Sequence, residues 1–140
     1  MAAKLYFKYG AMGSSKTAQA LITKFNYEER NMKVLFIKPS TDTRDGADVV
    51  RSRIGLEAKA LVVAPDVNLY DFYKDAYQDC QAVIVDECQF LTSGQIDELR
   101  SIVDTENIPV LCFGLRTDFM TKMFPGSARL FEVADSITEI

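Results

Sequence analysis

The segment Gly10-Ala11-Met12-Gly13-Ser14-Ser15-Lys16-Thr17 carries the residue types that hold a polyphosphate. Small residues let the backbone bend round an anion. Free N–H groups at a helix start, helped by the helix dipole, favour negative charge. Lys16 is placed to reach the β- and γ-phosphates of a nucleotide such as ATP, and the Thr17 hydroxyl to ligate Mg2+. The spacing is that of G-x-x-x-x-G-K-S/T with one departure: Ser15 stands where a glycine is expected, and its Cβ should crowd the turn slightly. A glycine-rich strand–helix turn with no ligand is the bland alternative, and both spacing and context weigh against it.

A second constellation is Val83-Ile84-Val85-Asp86-Glu87, an apolar run ending in two carboxylates. Asp86 would hold Mg2+ directly or through water. Glu87 would point elsewhere and be available to take a proton. Taken alone the pattern is weak, because many solvated strand ends look like this. Downstream of a phosphate loop it reads as the second half of a nucleotide site.

These groups need a scaffold that brings them to one edge. Residues 4–9 read as a strand ended by Gly10, and 16–30 as a helix whose stripe is Ala18, Leu21, Ile22 and Phe25. Residues 33–38 form a second strand stopped by Pro39. Residues 40–55 are polar and aperiodic and read as a loop. Further strands are expected at 59–63, 82–85, 110–113 (closed by Gly114) and 137–140. Helices are expected at 69–77 with Asn68 as N-cap, from Thr92 or Ser93 to about 104, and at 127–134. Short apolar strands alternating with helices indicate an α/β fold with a mostly parallel central sheet. VLFI, AVIV and VLCF are apolar throughout, as strands covered on both faces are. With the phosphate loop, this gives a RecA-like, three-layer P-loop NTPase fold in one domain, 1–140.

Composition narrows the function. The chain has 140 residues and a net charge of −4, which disfavours a general nucleic-acid binder. It has no histidine, so no step can use a His base or ligand. Its three cysteines, Cys80, Cys88 and Cys112, form no CxxC and read as buried thiols. With no long apolar core in residues 1–10, no signal peptide is expected, and no stretch approaches the roughly 20 apolar residues of a membrane span. A cytoplasmic protein is the default expectation.

Further motifs occur in order: Lys38-Pro39-Ser40-Thr41-Asp42-Thr43-Arg44, Ser52-Arg53-Ile54-Gly55, Asp86-Glu87-Cys88-Gln89-Phe90, and Gly114-Leu115-Arg116-Thr117-Asp118-Phe119 followed by Phe124-Pro125-Gly126. With the GAMGSSKT loop, they make the chain resemble the thymidine kinases of the tetrameric, zinc-containing type over essentially its whole length. The departures are Ser15, Arg116 in place of a usual Asp, and Asp45 where an aromatic often follows Arg44.

The resemblance implies phosphorylation of thymidine at its 5′-hydroxyl by ATP with Mg2+. It implies Glu87 as base, Arg44 as a cation steadying the transferring phosphoryl group, and Asp42 near the reacting end. It implies Met12, Gln89, Phe90, Leu115, Phe119 and Phe124 as nucleoside-pocket walls, and residues 40–55 as a lid. From residue type alone, Phe90 and Phe119 would be read as core; solvated loop charges are the alternative for Arg44 and Arg53, and for Arg53 the two readings stand equal. The resemblance also implies a homotetramer, inhibition by dTTP, and a structural Zn2+ in a C-terminal part that lies beyond Ile140. The competing expectations are a helicase-type ATPase, in which Asp86 and Glu87 activate water, and a nucleotide-binding module with weak catalysis.

Overall fold

The computed structural model describes residues 2–11, 15–40, 48–117 and 120–140. In chain order they form β1 (Leu5–Gly10), α1 (Lys16–Glu29), β2 (Val34–Pro39), β3 (Val49–Arg51), β4 (Glu57–Lys59), β5 (Leu61–Val63), α2 (Leu69–Ala76) and β6 (Ala82–Val85). A single 3-10 turn (Cys88–Phe90), α3 (Ser93–Glu106), β7 (Val110–Leu115), α4 (Pro125–Val133) and β8 (Ser136–Glu139) follow. The main sheet has six strands in the order β5-β2-β6-β7-β1-β8, and its pairings are parallel throughout.

Alternation along the central strands builds two cores. Val83 and Val85 of β6 and Val110 and Cys112 of β7 face Ile96, Leu99 and Leu130 of α3 and α4. Ile84, Leu111 and Phe113 face the other way, onto Ala20 and Leu21 of α1 and onto Val50 and Ala60. The sheet is therefore covered on both sides, which explains why its central strands are apolar at every position. The result is the expected three-layer α/β arrangement.

Two helix starts follow their cap chemistry. The Asn68 side chain accepts from the Asp71 amide at 3.0 Å. Thr92, not Ser93, caps α3: its hydroxyl accepts from the Gln95 amide at 3.0 Å while Gln95 Oε1 accepts from the Thr92 amide at 3.1 Å.

Four expectations need correction. Residues 48–55 are not all loop, because β3 pairs antiparallel with β4 around a turn in which Ser52 Oγ accepts from the Leu56 amide and Gly55 has φ +91°. Residues 59–63 are not one strand: the chain turns inward at Ala60, leaving β4 in the hairpin and β5 at the edge of the main sheet. Gly114 does not end β7, which continues to Leu115. The last helix begins at Pro125 rather than Ser127, because proline at a first-turn position lacks only an N–H that would be unpaired anyway.

Gln95 joins α3 to the segment before α2. Its Nε2 donates to the Ala64 and Val67 carbonyls at 2.9 and 3.0 Å, and the side chain is buried. Gln95→Leu would strip partners from these groups, at a cost of about 2–4 kcal/mol. Urea unfolding followed by circular dichroism measures this; a loss below about 0.5 kcal/mol would mean that the carbonyls find other partners.

Candidate active site

Parallel pairing sends β1, β6 and β7 to the same edge of the sheet. Gly10 is paired with Leu115, and Val85 with Cys112. The first residue of the phosphate loop, the acidic pair and the Gly114-Leu115 motif thus converge at the carboxyl ends of the strands, where open α/β sheets bind ligands.

The alternation that puts Ile84 on the α1 side puts Asp86 there too. The Thr17 hydroxyl, in the first turn of α1, donates to Asp86 Oδ2 at 3.2 Å. Asp86 Oδ1 is fully buried and has no hydrogen-bond partner among the described residues. Burial, followed by the charge of Glu87, pushes the Asp86 carboxyl up to about 7; the Glu87 amide, the Thr17 hydroxyl and the Lys16 ammonium pull the other way. A buried carboxylate oxygen without a partner is costly. An oxygen-seeking divalent cation would supply that partner, and the Thr17 and Asp86 oxygens fit Mg2+. Among the described residues no cluster of three or more His, Cys, Asp or Glu could hold a metal. A Mg2+ ion here would therefore keep water and phosphate oxygens among its ligands.

Lys16 is buried at the start of α1. Ser15 precedes it at the cap position with φ −86° and ψ 23° and makes no side-chain cap bond to the helix. Its hydroxyl instead accepts from Gln19 Nε2 at 3.2 Å. Gly10 ends β1, and Ala11 is exposed. Met12, Gly13, Ser14, Asp42, Arg44 and Phe119 lie outside the described residues.

The chain turns sharply after Asp86. Glu87 adopts the left-handed conformation, φ 55° and ψ 39°, uncommon for a residue with a side chain, and starts the 3-10 turn. The turn lies directly on two backbone surfaces. A Cβ on Gly114 would sit 2.7 Å from Cys88 Sγ and 2.4 Å from Gln89 Oε1; one on Gly126 would sit 2.5 Å from the Cys88 carbonyl. At Gly126 the approach is to backbone and only glycine permits it, whereas a Cβ at Gly114 would displace the Cys88 and Gln89 side chains. Gln89 is 1% exposed, and its amide is turned inward to Glu87 Oε2 and the Leu115 amide. Phe90 is 38% exposed and meets Phe124 edge-to-face, with ring centroids 5.5 Å apart. Leu115 is half-buried.

Two residues had no assigned role in the sequence reading. Ser127 is fully buried in α4, and its hydroxyl donates to the Leu115 carbonyl. A serine among apolar helix positions gives little signal. Lys38 is 1% exposed, and its ammonium donates to the Val49 carbonyl at 3.0 Å, joining β2 to the hairpin. A lysine closing the apolar run VLFI was the available sign.

The thymidine kinase family profile matches residues 3–140. The chain is 46% identical over 140 residues to the thymidine kinase of Enterobacteria phage T4, covering 99% of this chain and 72% of the relative. It is 42% identical over 140 residues to that of Zymomonas mobilis, with the same coverage. Against the thymidine kinase of a Streptococcus pyogenes strain it is 40% identical over 138 residues, covering 99% of this chain and 73% of the relative. The chain belongs to the thymidine kinase family.

Proposed function

We propose that the protein transfers the γ-phosphoryl group of ATP to the 5′-hydroxyl of thymidine, a nucleotide-salvage reaction. Family membership supports an enzyme of this class. The observation that carries the reading is the Thr17–Asp86 contact, with a buried carboxylate oxygen that has no partner among the described residues beside the phosphate-loop helix.

In this reading the main chain of residues 10–17 and Lys16 bind the triphosphate, and Thr17 and Asp86 hold Mg2+. The ion, when bound, neutralises charge on the phosphate oxygens. Glu87 takes the hydroxyl proton as the phosphoryl group leaves ATP for the nucleoside oxygen. Arg44 steadies the transferring group, and Asp42 lies near the reacting end. Met12, Phe90, Leu115, Phe119 and Phe124 line the nucleoside pocket. The exposed Phe90 edge against Phe124 supports an aromatic wall, since a pyrimidine offers a flat face for contact. Most of the acceleration comes from positioning and charge stabilisation.

Residues 40–55 act as a lid in this proposal. It also includes a homotetramer, dTTP as inhibitor, a structural Zn2+ held outside residues 1–140, and action in the cytoplasm. Among the described residues no helix is long and apolar enough to cross a membrane.

ATP-dependent phosphorylation of a panel of nucleosides by the full-length protein tests the reading. Phosphate release that is indifferent to any nucleoside would replace it with a water-activating ATPase. Glu87→Gln should lower kcat by roughly 10²–10⁴-fold while ATP still binds; near-normal turnover removes the base. Lys16→Ala should weaken ATP binding in isothermal titration, and unchanged affinity counts against the phosphate loop.

Asp86→Asn should separate stability from function. Because the Asp86 carboxyl is pushed up to about 7 in the folded protein, burying its charge becomes steadily more costly as pH rises from the unfolded-state value, about 4, towards 7, and is constant above that. Without Mg2+, the variant should melt higher than the parent at pH 8, with the gain gone by pH 4, yet lose most activity. A gain that persists at pH 4, or none at pH 8, contradicts the assignment of a buried charge.

A further inference from the structure

We infer that Gln89 is a positioning residue for Glu87 rather than an open pocket wall; this rests on the proposed role of Glu87 as base. The left-handed backbone at Glu87 turns the chain out of β6, so the direction of its carboxylate is not set by strand geometry. A glutamate side chain has several rotatable bonds, and something must select one arrangement. The Gln89 amide has the required connections. Its Nε2 donates to Glu87 Oε2, and its Oε1 accepts from the Leu115 amide at 3.1 Å. One planar group therefore ties the carboxylate to the backbone of the neighbouring strand.

That strand is itself held at the same peptide. The Leu115 carbonyl accepts from the buried Ser127 hydroxyl of α4. Gly126, one residue earlier, brings α4 against the Cys88 carbonyl, and Gly114 leaves the space that Gln89 Oε1 fills. The connection runs from α4 through Ser127, Leu115 and Gln89 to the Glu87 carboxylate. Holding Oε2 restricts the carboxylate and narrows the directions from which its oxygens meet a hydroxyl. Gln89 itself is buried and acts through Glu87. Leu115 is also the partner of Gly10 across β1 and β7, so the same peptide that orients the base borders the phosphate loop.

A double-mutant cycle in the full-length protein tests this. Gln89→Met keeps the length and removes both hydrogen bonds. It should lower kcat by about 10–100-fold, with KM for nucleoside and ATP affinity changed by less than about threefold. In the Glu87→Gln background, Gln89→Met should change kcat by less than about twofold, because the group it orients is already gone. Ser127→Ala should give a smaller loss of kcat with the same dependence on Glu87. If Gln89→Met does not fold, Ser127→Ala, which leaves the Gln89 amide in place and removes the support behind Leu115, carries the same cycle. Equal losses in both backgrounds, or a rise in nucleoside KM at unchanged kcat, overturn the positioning role and leave the base intact. Unchanged kcat in Glu87→Gln alone removes the base assignment and this inference with it.

Discussion

A carboxylate at the end of a central parallel strand is an expensive thing to bury, and the candidate site is organised round that cost. Asp86 lies at the end of β6 with strands on both sides and α1 above it, so water cannot solvate it. The contacts that favour its charge are the Thr17 hydroxyl, the Glu87 amide and the Lys16 ammonium, and together they do not offset burial. Proteins keep such arrangements where a ligand completes them. Two of these groups, Lys16 and Thr17, are also the helix-start residues of the phosphate loop. The cost of Asp86 and the affinity for an anion–cation pair are thus one electrostatic arrangement: positive helix end and ammonium on one side, buried carboxylate on the other.

The side of the candidate site beyond Glu87 is set by close packing rather than by charge. The 3-10 turn after Glu87 is pressed between β7 and α4, and two missing Cβ atoms make that possible. Steric fit of this kind changes little with pH or salt. It gives the site one electrostatic half that responds to ligand and one packed half that holds geometry. Gln89 is where the two halves meet, since its amide reaches both a carboxylate and a strand peptide.

The sequence made some of this legible, and the reasons are local. The central strands were visible through the apolar runs VLFI, AVIV and VLCF, and the Asn68 cap through its residue type, whereas the choice between Thr92 and Ser93 needed the Thr92–Gln95 contact. The site residues could be grouped because glycines, Lys16 and Asp86 belong to short continuous motifs. The β3–β4 hairpin was missed because its strands are three residues long and each mixes polar with apolar positions. The break at Ala60 left no trace, because a change of sheet needs neither glycine nor proline. Gly114 looked like a strand end because glycine usually punctuates. Its actual role, making room for Gln89, depends on a contact between residues 25 apart in sequence. The inward turn of Gln89 was hidden for the same reason: a motif gives residue order, whereas side-chain direction follows from the left-handed turn at Glu87.

Ser15 illustrates how a departure from a motif can be judged by its backbone. Glycine is required before the lysine only if that residue must adopt a conformation closed to a side chain or meet another group at its Cβ. Ser15 has φ −86° and ψ 23°, on the negative-φ side open to any L-residue. The residue is exposed, so its Cβ is not wedged against the core. The hydroxyl accepts from Gln19 Nε2, on the next turn of α1, and does not cap the helix. The first-turn N–H groups are consequently not consumed by the serine, and an incoming phosphate meets the donors that a glycine would have left. The substitution therefore changes the surface of the loop more than its function, and the crowding expected from the added Cβ has no backbone strain at residue 15 to act through.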